Sequence, residues 1–114
     1  MTAVVEWQPF VTINHGSGEI IQHESQWLDT EGYTHAVLDI RAIQVSASAL
    51  SLETSESLDG PWSEVATIIT GSSQVVLSRD LPRSDSSRLR RYLRWRSDSS
   101  AKEYTFRIVA LLKR

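Results

Sequence analysis

The chain has no cysteine, only three prolines and five glycines, and just two lysines, Lys102 and Lys113, among 114 residues. Without cysteine there is no disulfide framework and no thiolate metal site. A chain of this length needs neither, because a single domain spanning residues 1–114 buries roughly two-thirds of its unfolded surface. Long apolar runs are also missing. The longest, Ile108 to Leu112, is five residues, against the ~20 a membrane-spanning helix requires, so no membrane partner is expected. The stretch from Met1 to Trp7 carries neither a basic region nor an apolar signal core, which predicts cytoplasmic synthesis without a cleaved leader. No excess of positive charge is present either. Twelve basic residues stand against fourteen acidic ones for a net charge of −2, a balance that disfavours a nucleic-acid partner.

What is present favours strands. Seventeen serines and eight threonines outweigh the strong helix formers. Residues 4–13 are β-branched and aromatic, and Pro9 within them marks a broken or edge strand. The segment 14–18 turns the chain, and residues 19–28 alternate as a further strand. Residues 33–45 read as strand on β-branched content. In residues 48–55, Leu50 and Leu52 alternate with Ser51, Glu53 and Ser55 as in a half-buried strand. The sequence Ser57-Leu58-Asp59-Gly60-Pro61 is the strongest turn signal. Extended chain is expected over 62–70, a turn at 71–73, a strand over 74–78 and a mobile polar surface loop over 79–88. Two strong strands follow, 89–96 and 103–112. About eight strands with turns every 8 to 12 residues and no crossover helices predict an all-β antiparallel sandwich, a jelly roll or, alternatively, an immunoglobulin/fibronectin-like sandwich.

Two segments carry a resemblance. Leu52-Glu53-Thr54-Ser55-Glu56-Ser57-Leu58-Asp59-Gly60-Pro61-Trp62-Ser63-Glu64-Val65 resembles a hairpin common in galactose-binding-like, discoidin-type jelly rolls. Arg91-Tyr92-Leu93-Arg94-Trp95-Arg96 with Tyr104-Thr105-Phe106-Arg107-Ile108-Val109-Ala110-Leu111-Leu112 is similar to the closing strand pair of that fold and of small β-sandwich structural proteins of tailed phages and phage-derived particles. The resemblance covers about half the chain and implies a jelly roll. It implies no activity, because sugar-binding discoidin domains carry a calcium site or disulfide that this sequence lacks.

The most specific local pattern is Arg88-Leu89-Arg90-Arg91-Tyr92-Leu93-Arg94-Trp95-Arg96. On a strand, Leu93 and Trp95 mark the core side, and Arg90, Tyr92, Arg94 and Arg96 share the opposite face at spacings of roughly 7 Å. Planar guanidinium forks at that spacing suit carboxylates of an acidic protein surface; the competing reading is a solvated face salt-bridged to acidic neighbours. Trp62, beside the strongest turn, serves either as a sugar-stacking platform or as the lid of a sandwich end. His15, His23 and His35 lack the spacing of a metal set, and no nucleophile or phosphate-loop motif occurs, so no metal, no cofactor and no catalytic residue is expected.

The expected function is therefore a non-catalytic structural or assembly module. It binds its own copies, as a possible homo-oligomer, or the acidic surface of a shell subunit in a virion-like particle. The alternative is a carbohydrate-binding module using Trp62. The charge supports association in one further way. Residues 1–60 hold one basic and nine acidic residues, a sum of −8, whereas residues 61–114 hold eleven basic and five acidic, a sum of +6. In a sandwich the two halves either interleave and neutralise each other within one subunit or face apart and attract the next.

Overall fold

A computed structural model of the chain describes residues 2–14, 19–44, 50–68, 71–82, 84–97 and 103–114. Among the described residues nine strands are formed: β1 (Thr2–Asn14), β2 (Ile20–Ile21), β3 (Leu28–Asp29), β4 (His35–Gln44), β5 (Leu50–Ser55), β6 (Ser63–Ile68), β7 (Gly71–Ser78), β8 (Tyr92–Ser97) and β9 (Glu103–Lys113). They divide into a four-stranded sheet, β1-β9-β4-β7, and a five-stranded sheet, β2-β8-β5-β6, in which β3 also pairs with β8. All these pairings are antiparallel.

The order has a simple logic. If β2 and β3 are taken as one interrupted strand, the chain is a long hairpin in which the first strand pairs the last, the second the second-to-last, and so inward. Those nested pairs are β1·β9, β2/β3·β8, β4·β7 and β5·β6. Rolling the hairpin sends alternate pairs to alternate sheets, which defines a jelly roll rather than an immunoglobulin-like sandwich. The two strong strands near the carboxyl terminus are consequently not partners: β8 and β9 lie in opposite sheets.

The two sheets enclose one core. Ala36, Leu38, Ile40 and Ala42 of β4 and Tyr104, Phe106, Ile108, Ala110 and Leu112 of β9 meet Leu50, Leu52, Leu93 and Trp95 of the other sheet. Trp95 packs edge-to-face on Phe106 with ring centroids 5.0 Å apart. The polar tips of the buried rings are satisfied across the sandwich. Tyr104 Oη donates to the Ile68 carbonyl at 3.1 Å, and Trp95 Nε1 donates to Gln8 Oε1 at 3.0 Å. Gln8 reaches this position because β1 shifts register on both sides of it, next to Pro9. Among the described residues β1 pairs with β9 alone, which agrees with the broken or edge strand expected from that proline.

Several expectations need correction. Residues 19–28 are not one strand: a 3-10 turn, Glu24–Gln26, separates β2 from β3 and is capped by His23, whose Nδ1 accepts from the Ser25 amide. Between them Gln22 continues the pairing, its amide donating to the Trp95 carbonyl at 3.0 Å. The turn expected at 71–73 is instead the start of β7, opened by Gly71 at φ +90°. The polar segment expected as a surface loop is hydrogen-bonded to the rest of the molecule at its described ends. Arg79 donates from Nε to the Tyr33 carbonyl and from Nη2 to the Thr30 carbonyl, Arg88 donates to the carbonyls of Arg79 and Leu81, and Ser78 bonds Ser87 and Leu89 through the backbone. The 14–18 turn with His15 lies at or beyond the edge of the described residues.

Candidate interaction surfaces

Alternation on β8 falls as expected: Leu93 and Trp95 are buried, and Tyr92, Arg94 and Arg96 face outward. Arg90 precedes the strand. Its amide donates to Thr54 Oγ1 at 3.1 Å and its carbonyl accepts from Thr30 Oγ1 at 2.8 Å. Arg91 also precedes β8, and its guanidinium lies over the Tyr92 ring, 4.9 Å from the centroid.

The outward arginines are already engaged. Across the β5–β8 register Glu53 stands opposite Arg94, and Ser51 opposite Arg96. Glu53 receives Arg94 Nε at 2.9 Å and lies 3.6 Å from Arg96 Nε. Arg96 also donates to Glu19 at 3.0 Å. Trp62 closes over this pair: the Arg94 guanidinium sits 3.9 Å from its ring centroid and 5.2 Å from that of Trp27. The two indoles meet edge-to-face at 4.8 Å. Trp62 is therefore a lid on an ion pair, with one ring face occupied by a guanidinium, and both indoles remain partly exposed. The result is that Ser51, Glu53 and Ser55, on the outer side of β5, are buried, where a half-buried strand was expected.

The same exchange recurs elsewhere. Arg91 binds Asp29 at 3.1 Å and Glu31 at 2.8 Å, and this guanidinium holds the Asp29 carboxyl below its ordinary value. Arg107 binds Glu6 at 3.1 Å. Every ion pair among the described residues thus joins an arginine from residues 61–114 to an acid from residues 1–60. The charged halves interleave within one subunit.

The outer face of the four-stranded sheet is different. Register places residues in rows across the strands. Thr2, Lys113, His35 and Ser78 form the first row, and Val4, Leu111, Val37 and Val76 the second. Val109, Asp39 and Gln74 form the third, with Glu6 the next outward residue of β1. Arg107, Arg41 and Ser72 form the fourth. Val4 is 72% exposed and Val76 55%. Among the described residues, Asp39, Arg41 and Lys113 have no ion-pair partner. The sequence signal for this row was the outward positions of β1, β4, β7 and β9, but only strand order shows that they adjoin.

His23 and His35 lie apart in their roles. His23 caps the 3-10 turn, and His35 faces outward from β4 with Nδ1 2.9 Å from Thr34 Oγ1. His15 is outside the described residues.

Topology places the chain in the class of jelly-roll β-sandwiches. Comparison with protein-family models, with curated proteins and with solved structures gives no match.

Proposed function

We propose that this chain is a non-catalytic assembly module. It binds protein through an open sheet face, as a decoration or tail-associated subunit does in a phage-like particle, and it takes its own copies or a shell subunit as partner. The observation that carries this reading is the outer face of β1-β9-β4-β7. There an apolar row, exposed at Val4 and Val76 and half-buried at Leu111 and Val37, crosses all four strands, with charges that have no ion-pair partner among the described residues on either side, the composition of an interaction surface rather than of plain solvated sheet.

The face bearing Arg90, Tyr92, Arg94 and Arg96 supports docking less well. A partner carboxylate must displace Glu53 or Glu19 before it reaches Arg94 or Arg96, so rim contacts to acidic groups are the most this stripe supplies. The carbohydrate reading keeps one supporting observation, the partly exposed Trp27–Trp62 pair. Arg94 covers the ring face a sugar needs, so any stack must use the opposite face. A glycan array with Trp62→Ala as control tests it.

The main reading is tested by mass in solution, measured by light scattering over a range of concentration and salt, alone and mixed with shell or tail proteins encoded beside it. Concentration-dependent or mixed assemblies are expected. A strict monomer in every mixture overturns the reading.

A further inference from the structure

We infer that a second copy of this chain docks face to face on the sheet β1-β9-β4-β7, about a two-fold axis that lies in the interface and runs across the strands along the row Val4–Leu111–Val37–Val76. The inference rests on the assembly reading and specifies its surface and symmetry.

The row order selects the axis. Moving along the strands, the face carries a basic row (Lys113, His35), the apolar row, an acidic row (Asp39, with Glu6 at its β1 end) and a row with Arg41 and Arg107. A two-fold axis along the apolar row reverses position along the strands and keeps position across them. The apolar row then meets its own copy, and the basic row of each protomer meets the acidic row of the other. Asp39 faces the partner copy's His35 and has the Lys113 ammonium of that copy within the reach of a four-carbon stem. A two-fold axis running along the strands does the opposite. It lays Lys113 against the Lys113 row and Asp39 against the Asp39 row, and like charges brought together across an interface oppose association. Charge pattern, not apolar content, therefore distinguishes the two isologous arrangements.

Size and packing agree with a weak, reversible contact. The axis lies two residues from the ends of all four strands, so the rows that overlap are the basic, apolar and acidic ones, a plane on the order of 300–400 Å². That is below the ~800 Å² per partner of standard interfaces, so association is expected only at high protein concentration. Reversal of strand direction about this axis keeps the two sheets aligned, as stacked sheets prefer at about 10 Å separation. Asp39 and Lys113 have no ion-pair partner within the described molecule, so docking breaks no existing salt bridge at either residue.

The test is analytical ultracentrifugation of the full chain and four variants, each checked for a native far-UV spectrum and unfolding midpoint. The wild type is expected to dimerise reversibly. Val76→Asp, an exposed change that leaves the core intact, abolishes the dimer. Asp39→Lys and Lys113→Asp each weaken it about tenfold or more, and the double variant Asp39→Lys/Lys113→Asp recovers to within about threefold of wild type. A dimer indifferent to all four variants overturns this surface and leaves the assembly reading standing. So does a wild type monomeric alone up to about 1 mM that still joins a mixed assembly. A monomer in every mixture removes both.

Discussion

The outer faces of the two sheets come from the same kind of sequence, alternating strands with charges on the solvent side, and end in opposite states. On the five-stranded sheet the outward residues of the inner strand β5 are buried, with Glu53 only 7% exposed. On the four-stranded sheet the outward residues Asp39, Arg41 and Ile43 of the inner strand β4 are exposed. Strand adjacency makes the difference. The roll sets β5 of the acidic half beside β8 of the basic half and puts Glu53 opposite Arg94. It also sets β4 beside β9 but puts Arg41 opposite Arg107, a like-charge pair that cross-strand energetics disfavour. Glu6 engages Arg107 from the edge strand and leaves Arg41 open. Winding, rather than composition, decides which face is neutralised and which is available.

The sharpest way to break this comparison is to remove one charge from each face. Glu53→Ala strands the Arg94 guanidinium, whose side chain is 15% exposed, without its carboxylate under two indoles. Loss of one partner of a largely buried pair costs about 3–5 kcal/mol. Asp39→Ala, at an exposed position with no ion-pair partner among the described residues, stays within about 0.5 kcal/mol of wild type. Urea unfolding of the two variants reads both values. Equal costs would mean that the faces do not differ in the way their ion pairs indicate.

Much of this was legible before the fold was known, and the rest was hidden for identifiable reasons. Period-two alternation placed Leu93 and Trp95 inside and Tyr92, Arg94 and Arg96 outside, and Pro9 marked the edge strand. The charge asymmetry between halves was visible too, but whether it acts within or between subunits depends on strand order, which alternation does not encode. Glu53 shows the gap. Its alternation with Leu50 and Leu52 gave its face, shared with Ser51 and Ser55, but its burial comes from Arg94 across the sheet and Trp62 beyond the turn. Residues 19–28 misled because their alternation mixes Ile21 and Gln22, and it is Gln22, not an isoleucine, that is buried against β8. The anchoring of Arg79 and Arg88 escaped because both bind backbone carbonyls, which leave no complementary residue in the sequence.

The inward faces offer a second, smaller contrast, since what joins them is neutral. Burial raises the Tyr104 phenol from 10.0 to about 12, and its hydroxyl bonds the Ile68 carbonyl of the opposite sheet. The folded value lies above the unfolded one for a group whose charged form is the deprotonated one. The stability this gives is complete below pH 10, and it declines as pH rises from 10 toward 12. A shift of that size corresponds to roughly 2–3 kcal/mol lost across the window. Tyr104→Phe, at a cost of about 1 kcal/mol at neutral pH for the missing hydrogen bond, is expected to flatten the alkaline limb. Denaturant midpoints between pH 9 and pH 12 measure it, and parallel limbs in both proteins would assign the alkaline loss to other groups.

The smallest effect tests whether ion pairing as such, or only its burial, separates the faces. Asp29 belongs to the neutralised sheet, yet its side chain is 48% exposed and that of Arg91 39%, so solvent and salt screen the pair. The Arg91 hydrogen bond lowers the Asp29 carboxyl below its ordinary value. Stability from this group is therefore present above the unfolded carboxylate range near pH 4 and is lost as pH falls through the lower folded value. For a pair this exposed the contribution is about 0.2–1 kcal/mol. Asp29→Asn should cost that amount at pH 7 in low salt, cost less at high salt, and converge with wild type near pH 2. If Asp29→Asn instead costs as much as Glu53→Ala, then pairing alone stabilises the five-stranded sheet. The aromatic cover supplied by Trp27 and Trp62 would then be incidental to the contrast between the two faces.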